Sequence, residues 1–397
     1  MLNASITLRE RSRYKKRICT SDPENVLDLR YHRVMQQCTT VDCEEARRRV
    51  MRFGRMSMAY SILNPGMLHW FDEPSGGVVG FVRRGGWWVI AGDPVCDVPD
   101  LPGLIERLEA AAAAEGRRVV YVVCTETMRL AAGRSHSATI MGAEPVWRPD
   151  GWAARIKRLS SLRAQLNRAR NKGVSIEPLP IAEVPRVRRQ LGEVIDDWLA
   201  HRPLPPLRFL VEPMAIDGVL TDRQLWVACR GGKPVAFLLA SPVAQRRGYL
   251  VEQICRRHDA PNGTSELLID AAMRAWSADG CDYATLGLVT LTPLARQLPQ
   301  PLWLRAAFGF ARLHGRRFYN FDGLEHFRLK MQPDGWEPIS IITPGNRPSL
   351  AGFYAAGAAF CGGRSPASVL AEGALKALAA EMATAERWLE SRRKKQG

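Results

Sequence analysis

Residues 249–288 have the sequence YLVEQICRRHDAPNGTSELLIDAAMRAWSADGCDYATLGL, and this stretch decides the fold class. Alternating apolar and polar residues predict a half-buried strand over 249–255 and a second strand over 283–288. Asn262-Gly263 allows the backbone to take a positive φ, and Thr264 is expected to cap the helix that follows. One side of that helix is predicted to be buried through Leu267, Leu268, Ala271, Ala272, Met273 and Trp276. A strand that leads through a tight loop to a helix N-terminus is suited to bind an anion or to polarise a carbonyl.

The loop between strand and helix also bears on the acyl donor. The order strand, loop, helix, strand resembles the way in which the GNAT acyltransferase fold builds its donor site. In GNAT enzymes that use acetyl-CoA, closely spaced glycines let several backbone N–H groups surround the pyrophosphate. Here Gly263 stands alone, and Pro261 has no N–H to offer. The residues therefore disfavour a CoA donor, and a CoA-dependent N-acyltransferase is kept as the alternative.

Composition limits the class of protein. The chain has 397 residues, 46% of them hydrophobic, which is enough for two domain cores. Lys and Arg outnumber Asp and Glu by 56 to 40, and the formal net charge is +16. Such a charge indicates attraction to polyanions such as RNA or an anionic bilayer surface. An arginine-rich proteome is the alternative explanation, because charge alone names no partner.

The nine cysteines stand singly, with no CxxC pair and no histidine at ligand spacing. They predict neither a zinc site nor a disulfide framework, so we expect no metal and a reducing compartment. Cys124, Cys229 and Cys255 fall within apolar strands, where cysteine usually behaves as a small buried hydrophobe.

No stretch of the sequence predicts secretion or membrane insertion. Residues 1–20 are basic but lack the apolar segment of a secretory signal. No run approaches the ~18 to 20 apolar residues that span a bilayer, and the nearest candidate, 350–361, is too short. We therefore expect a cytoplasmic protein that contacts the inner membrane face only peripherally.

Two glycine-containing hairpins indicate an internal repeat. Gly85-Gly86 and Gly231-Gly232 each separate a pair of short apolar strands, predicted at 78–82, 87–91, 225–229 and 235–239. The repeated order predicts two tandem GNAT-like domains in an α+β fold, with mixed central sheets flanked by helices.

This repeat divides the chain into five predicted segments. They are a basic N-terminal arm (1–45), an N-terminal GNAT-like domain (46–150), a basic linking helix (151–175), a C-terminal catalytic GNAT-like domain (176–345) and a C-terminal helical tail (346–397). Further helices are predicted over 43–53, 101–115, 183–201, 301–313, 324–331 and 365–388, and further strands over 119–123 and 318–321.

The linking segment is the most basic part of the predicted folded chain. Apolar residues at every third or fourth position predict one amphipathic helix over 155–172 that exposes its cations. Its cations are Arg155, Lys157, Arg158, Arg163, Arg168, Arg170 and Lys172, with no acidic residue among them. This face suits contact with tRNA phosphates or lipid headgroups. A connecting helix with a solvated basic face is the alternative.

A set of short motifs runs through residues 55–345. The central stretch contributes Arg256, residues 260–264 and Glu266. The other motifs are Gly92-Asp93-Pro94, Leu162-Arg163, Leu166-Asn167-Arg168-Ala169-Arg170, Lys172-Gly173, Leu286-Gly287-Leu288, Tyr319-Asn320-Phe321, Gly323-Leu324, Phe327-Arg328-Leu329-Lys330 and Trp336-Glu337-Pro338. In order and approximate spacing this set resembles the C-terminal catalytic domain of lysyl- and alanyl-phosphatidylglycerol synthases and related soluble proteins.

The resemblance implies an aminoacyltransferase. Such an enzyme takes an aminoacyl group from aminoacyl-tRNA and passes it to a hydroxyl or amine of a lipid headgroup or small molecule, without a cofactor. Because no membrane-spanning run is found, we expect a soluble, stand-alone member.

Candidate site residues follow from this chemistry. An aminoacyl ester is already activated, so transfer needs a positioned acceptor, a proton acceptor and donors for the oxyanion. Glu252 and Arg256, four residues apart on one strand, should share a face. Glu252 is assigned either to binding the donor's ammonium group or to acting as a general base, and a simple ion pair is the alternative. Arg256 and Lys330 are expected to face a phosphate or the oxyanion. The other candidates are Asn262, Gly263 and Thr264 for the carbonyl, Glu266 for a cation or the helix dipole, and Asp322 and Arg328 for substrate binding.

Other chemistries find less support in the sequence. No Ser-His-Asp or Cys-His order stands out, so a covalent acyl-enzyme is not expected. His258 is a candidate base by residue type, and the alternative is an incidental loop histidine. The alternative from another class of protein is a non-catalytic basic module that binds RNA or a membrane.

Overall fold

The structure is a computed structural model that describes residues 40–202, 207–290, 321–369 and 371–373. The strands within these ranges form one mixed sheet. In chain order they are β1 (Leu68–Asp72), β2 (Gly77–Arg84), β3 (Trp87–Ala91), β4 (Arg118–Cys124), β5 (His136–Trp147), β6 (Val174–Leu179), β7 (Gln224–Arg230), β8 (Lys233–Val243), β9 (Gly248–Arg256), β10 (Tyr283–Thr285), β11 (Val289–Thr290) and β12 (Gly335–Pro344).

Helices cover both faces of this sheet. They are α1 (Thr40–Phe53), α2 (Leu101–Ala114), α3 (Glu126–Ala132), α4 (Trp152–Arg158), α5 (Ser160–Asn171), α6 (Val184–Ala200), α7 (Thr264–Ala278), α8 (Phe321–Leu329) and α9 (Leu350–Phe360). Among the residues described, no helix is both long enough and apolar enough to cross a bilayer.

Both predicted hairpins are present. Arg84 pairs with Trp87 across the β2–β3 turn, and Arg230 pairs with Lys233 across the β7–β8 turn. In the second turn Gly231 has φ +57° and Gly232 has φ +74°. A two-residue turn with both φ values positive matches the right-handed twist of its strands, which is why glycine is favoured there.

The predicted repeat is also present. In the first half, β3 leads through α2 to the parallel strand β4. In the second half, β9 leads through α7 to the parallel strand β10. The two tandem GNAT-like units of the α+β prediction are therefore confirmed.

The mixed central sheets predicted for the two units are parts of a single sheet. The strands form one continuous sheet in the order β1-β2-β3-β4-β12-β5-β10-β9-β8-β7-β6, with β11 pairing with β5 outside this path. The halves join where β10 lies antiparallel to β5, Thr285 opposite Val146. Pairing at this seam satisfies backbone groups that two separate sheets would leave unpaired at their edges.

Strand β12 crosses the predicted division of the chain. Its residues fall in the segment predicted as the C-terminal domain, yet β12 lies between β4 and β5 of the N-terminal half, antiparallel to both. The segment that precedes β12 is thereby tied to the seam between the halves.

Four apolar clusters hold the layers together. The cluster beneath α4, α5 and α7 includes Leu268 and Met273, both fully buried, together with Trp276. Burying a side chain such as Leu268 or Met273 contributes ~1.5 to 3 kcal/mol. Helix α6 packs on the opposite face of β7, β8 and β9. The second half is therefore a three-layer sandwich whose helices are held to a central sheet.

The prediction of one linking helix over 155–172 was wrong. Leu159, with φ −90° and ψ 87°, separates α4 from α5. The Arg163 guanidinium donates to the carbonyl oxygens of Ile156 and Lys157. These carbonyls lie in the last turn of α4, where no further helical N–H can reach them, so Arg163 satisfies them and stabilises the break.

The remaining predicted elements either end at other residues or lie wholly or mostly outside the described residues. The second central strand ends at Thr285, earlier than predicted, and β11 follows after a short gap. The helix at 301–313 lies outside the described residues, and the strand at 318–321 and the tail helix at 365–388 do so for the most part.

Candidate functional site

An opening in the sheet separates β9 from β10. Gly248, Tyr249 and Leu250 pair with Tyr283, Ala284 and Thr285, and no pairing of these strands follows. Strand β9 continues to Arg256 beside β8, whereas the chain after β10 turns to pair with β5, Val289 opposite Ala143. The carboxyl ends of parallel strands are the usual place for a ligand in open sheets. We refer to this gap and the adjoining loop, residues 257–263, as the opening.

A β-bulge in β9 lies beside the opening. The register with β8 moves from Gln253 opposite Leu239 to Val251 opposite Ala240, which leaves Glu252 unpaired between them. A bulge changes the direction of a side chain and breaks the alternation along its strand. The expectation that Glu252 and Arg256 share a face fails for this reason.

Glu252 instead forms a buried ion pair with Arg223. Arg223 donates to both carboxylate oxygens at 2.9 Å, and the side chains are only 0% and 5% exposed for Arg223 and Glu252. Asn64 donates to the same carboxylate at 3.4 Å and accepts from Arg223 at 2.7 Å. Because its oxygens are engaged, Glu252 is suited to holding the two halves together and poorly suited to accepting a proton.

The loop that follows β9 is held by bonds within the protein. Arg256 donates to the carbonyl oxygen of Ala260 at 3.4 Å. Thr264 does not cap α7 as predicted, because Gly263 is the N-cap residue. Thr264 donates through its hydroxyl at 2.6 Å and through its N–H at 3.2 Å to the carbonyl of Pro261. The Thr264 amide is therefore already occupied, whereas the Asn262 side chain is exposed beside the loop.

Gly263 is required by two features of the loop. Its φ is +94°, which side chains rarely allow, and a Cβ atom there would lie 2.1 Å from the backbone oxygen of Gln165 in α5. The basic helix α5 thus packs directly against the N-terminus of α7. The first turn of a helix carries N–H groups without an intrahelical partner, and these are aimed at the opening.

Two predicted residues meet at the mouth of the opening. The Lys330 ammonium lies 3.1 Å from the carboxylate of Glu266 in the first turn of α7. The nearby Arg328 donates to the carbonyl of Leu286 at 2.6 Å. Glu266, Lys330 and Arg328 are thereby brought around the opening from separate parts of the chain. The Asp322 side chain lies outside the described residues.

One acidic residue of the site was missed by sequence reasoning. Glu144 lies on β5 opposite the gap between β10 and β11, is fully buried and accepts a 2.8 Å hydrogen bond from Ser57. Burial raises its pKa to about 7, partly offset by the Ser57 bond. Strongly perturbed carboxyl groups in a cleft are functional candidates. The sequence signal that could have identified it is a glutamate within an otherwise apolar strand segment, Ala143-Glu144-Pro145-Val146.

Glu144 has further polar neighbours at the seam. Arg246 forms two 2.6 Å hydrogen bonds with Glu337, which is paired with Glu144 across β5 and β12. The Arg246 guanidinium also lies 3.6 Å from the centre of the Tyr283 ring. This half-buried ion pair is therefore a close electrostatic neighbour of Glu144.

The basic residues of α4 and α5 do not form one exposed face. Arg155 is buried and ion-paired with Asp334, so its assignment to tRNA or headgroup contact was wrong. Arg170 is half-exposed and pairs with Asp270 at 3.2 Å. The cations that lie exposed are Lys157, Arg158, Arg163, Arg168, Arg170 and Lys172.

A second cluster of titratable residues lies where α6 ends. His258 donates through Nδ1 to the Asp197 carboxylate at 2.7 Å, and its backbone N–H donates to the same group. The rings of His201 and His258 stack with centroids 4.1 Å apart. Ligand atoms of Asp197, His201 and His258 lie within 4.8 Å of one another, so these are the described residues that could hold a metal ion.

Fold and site together define the class. A tandem GNAT-like α+β chain with an open strand–helix–strand unit in its second half is built like an acyltransferase. The family model described as "Phosphatidylglycerol lysyltransferase, C-terminal" matches residues 47–343, and the chain belongs to this family.

Relatives agree with this assignment. The chain is 25% identical over 264 residues to a phosphatidylglycerol lysyltransferase of Staphylococcus xylosus, covering 64% of this chain and 30% of that one. It is 26% identical over 224 residues to an MprF-like domain protein of Mycobacterium tuberculosis, covering 53% and 46%. The chain thus spans less than half the length of either relative.

Solved structures show the same fold. The C-terminal domain of an Agrobacterium fabrum protein named as a lysylphosphatidylglycerol synthetase superposes with a TM-score of 0.69 at 24% identity, covering 81% of this chain and 97% of that one. L-PGS from Bacillus licheniformis gives a TM-score of 0.66 at 18% identity, covering 80% and 95%.

Proposed function

We propose that this chain transfers an aminoacyl group from aminoacyl-tRNA to a hydroxyl or amine of a phosphatidylglycerol-like lipid headgroup. The observation that carries the proposal is the opening between β9 and β10, with the N-terminus of α7 and the Lys330–Glu266 pair beside it. Membership of the phosphatidylglycerol lysyltransferase family supports the reaction class.

The proposed reaction is acyl transfer between two oxygen atoms. The acceptor hydroxyl attacks the ester carbonyl, a new ester bond forms, and the bond to the tRNA ribose oxygen breaks. The proton lost by the acceptor ends on that ribose oxygen, so no external reductant or oxidant is needed. An acceptor amine would react in the same way and form an amide.

Each requirement of this reaction has a candidate group. Negative charge on the carbonyl oxygen is stabilised by the first-turn N–H groups of α7, aligned by the helix dipole. Lys330 adds a positive charge nearby, held in place by Glu266. Glu144, on β5 opposite the gap between β10 and β11, is the proton acceptor that we assign, and its raised pKa of about 7 suits a base at neutral pH. Glu252 is assigned to positioning, because Arg223 already occupies its carboxylate.

The loop does not suit a CoA donor. A pyrophosphate needs several free N–H groups in succession, but Pro261 has none and the Thr264 N–H is bonded to Pro261. The space beside Gly263 is occupied by Gln165. An ester of tRNA brings no pyrophosphate and makes no such demand.

The proposal is tested by following a labelled amino acid. The protein is incubated with individual radiolabelled aminoacyl-tRNAs and vesicles that contain phosphatidylglycerol, and the lipid fraction is extracted. We expect label in the lipid with at least one aminoacyl-tRNA, and none when the tRNA is first deacylated. Parallel reactions contain labelled acetyl-CoA. Label that enters the lipid from no aminoacyl-tRNA, or transfer from acetyl-CoA alone, would contradict the proposal.

A further inference from the structure

A basic cavity lies on the second half of the protein. It has a volume of about 880 Å³ and is bounded by the β7–β8 hairpin, the end of α5, one side of α6 and the start of the loop after β9. We name it the hairpin groove. Its cationic lining residues are Lys172, Arg189, Arg230, Lys233 and Arg257.

The hairpin groove keeps a surplus of positive charge. Its acidic lining residues are Glu193, paired with Arg189 at 2.5 Å, and Asp259, paired with Arg257 at 3.0 Å. Five cations therefore face two carboxylates. The surplus lies at the exposed hairpin tip and the adjoining Lys172. Clustered cations around a concavity concentrate anionic ligands near it.

An exposed aromatic surface continues from the groove. Arg189, Glu193, Asp197 and His201 follow one another at four-residue spacing along α6 and its end, so they lie on one side of that helix. His201 and His258 stack there, and each ring is about half exposed. Asp197 orients His258 through its ring and its backbone N–H. We name these two rings the histidine stack.

The combination favours single-stranded RNA over a lipid. Single-stranded nucleic acid is typically bound by a cationic groove for phosphates next to aromatic faces on which bases stack. A lipid-binding pocket also needs apolar lining for acyl chains. The described residues that line the hairpin groove include Pro234 and Val235 but no Leu, Ile, Met or aromatic side chain.

The groove also leads toward the proposed reaction site. Arg257 lines the groove, and its neighbour Arg256 ends β9 at the opening. Residues 257–263 then connect the groove to the N-terminus of α7. This loop therefore joins the groove to the helix N-terminus of the proposed reaction site.

We propose that the hairpin groove and the histidine stack bind a single-stranded segment of the RNA donor, with its phosphates on the groove cations and a base on the imidazoles. The identity of the donor rests on the proposed function, but the binding of RNA can be measured without transfer. This surface is distinct from the α4 and α5 face considered from the sequence, which it meets only at Lys172.

The first test is a fluorescence-anisotropy titration of the full chain with a short labelled single-stranded RNA. Lys233→Glu should weaken binding several-fold and reduce the slope of log affinity against log salt by about one phosphate contact. Arg134→Glu makes the same change of charge at an exposed position of the first half and should leave both quantities unchanged. Lys233 lies at an exposed hairpin tip, so equal melting temperatures will show that both variants are folded.

The second test separates stacking from charge and from metal binding. His201→Ala should weaken RNA binding by about fivefold or more, while His201→Phe, which keeps an aromatic face and removes the ring nitrogens, should bind nearly as the wild type does. Inorganic phosphate should compete with the RNA equally well in both variants. Loss of RNA binding in His201→Phe as well as in His201→Ala would overturn the stacking assignment.

Two outcomes would overturn the groove assignment itself. One is RNA affinity that is unchanged in Lys233→Glu. The other is a loss in that variant of binding to phosphatidylglycerol vesicles but not to RNA, which would make the groove a headgroup surface. Failure of the proposed function gives a different result: RNA binds and depends on Lys233, yet no aminoacyl group reaches the lipid.

Discussion

The two strand–helix–strand repeats have the same topology but different freedom at their strand ends. In the first, β3 pairs with β4 over five positions, Trp87–Ala91 against Arg118–Val122, and β12 covers the far side of β4. In the second, β9 and β10 pair over three positions and then separate. A repeat whose strands stay paired is closed by its own backbone, whereas in one whose strands separate the described strand ends do not pair with each other.

Polar groups near these strand ends also differ between the two halves. Asp93, after β3, accepts from the Thr125 N–H at 2.9 Å and from its hydroxyl at 2.5 Å. Burial raises the Asp93 pKa to about 6, partly offset by these two hydrogen bonds. In the second half, the partly exposed Lys330–Glu266 pair joins the first turn of α7 to the residue after α8, beside the opening. The acid of the first half is therefore engaged within the protein, whereas the ion pair of the second half is partly exposed.

The largest expected effect concerns the ion pair beneath the open repeat. Arg223→Ala leaves the buried Glu252 carboxylate without its partner, so we expect unfolding free energy to fall by ~3 to 5 kcal/mol. Urea denaturation measures this change. Arg129→Ala removes the exposed pair with Glu126 in the first half and should cost ~0 to 1 kcal/mol. Equal losses in the two variants would show that the network does not hold the halves together.

The next prediction concerns the exposed Asn262 in the loop of the open repeat. If its side chain helps to position the oxyanion donors, Asn262→Ala should lower the transfer rate by ~10² to 10³ and leave the melting temperature unchanged. Single-turnover transfer with a competent aminoacyl-tRNA is the measurement. Turnover near that of the wild type would remove this loop side chain from the reaction and direct attention to Lys330.

The pH dependence of stability distinguishes Glu144 from other acids. Because its folded pKa of about 7 exceeds its usual value of 4.5, the folded state holds the proton more tightly. The corresponding stability is present below about pH 4.5 and is lost as pH rises to about 7, by up to roughly 3 kcal/mol. Urea denaturation across this range should show that Glu144→Gln lacks this loss.

Activity provides a second readout of Glu144. As a proton acceptor it must be ionised, so transfer should increase as pH rises through about 7, and Glu144→Gln should lose this increase. Asp93→Asn alters a buried acid of the closed repeat and should keep the activity profile. A Glu144→Gln enzyme with the wild-type rate profile would exclude Glu144 as the base.

The smallest expected effect compares two glycines with positive φ. At Gly263 a new Cβ meets the backbone of Gln165, whereas at Gly92 it meets the end of the flexible Met56 side chain. Gly263→Ala should therefore cost ~1 to 3 kcal/mol more than Gly92→Ala, because backbone cannot move aside as a side chain can. Thermal unfolding of both variants tests this difference. A greater cost for Gly92→Ala would indicate that the contact between α5 and α7 yields easily.

Local patterns predicted the elements of the fold well. The hairpin glycines, the alternation in β9 and the helical spacing in α7 depend on neighbouring residues, so they could be recognised in the chain. The bulge at Glu252 could not, because a bulge depends on which residues of β8 lie opposite. Because the bulge breaks the alternation, Glu252 pairs with Arg223 and not with Arg256 of its own strand.

Candidate site residues divide in the same way. Arg256, Gly263, Glu266, Arg328 and Lys330 belong to recognisable motifs, and the structure brings them around one opening. Arg155 also belongs to a recognisable run of cations, but its partner Asp334 is 179 residues away. Glu144 was missed because its raised pKa arises from burial, which a sequence position does not reveal.

The sequence by itself determined the strand–helix–strand repeats, the family motifs and the excess of positive charge, since these depend on residue type and spacing. Tertiary structure alone decided that both halves share one sheet, that β12 inserts between β4 and β5, and that β9 separates from β10. It also decided which cations are exposed and which are neutralised. These outcomes depend on pairings between residues far apart in the chain. Burial and the identity of the partner then determine how strongly each charged group is stabilised.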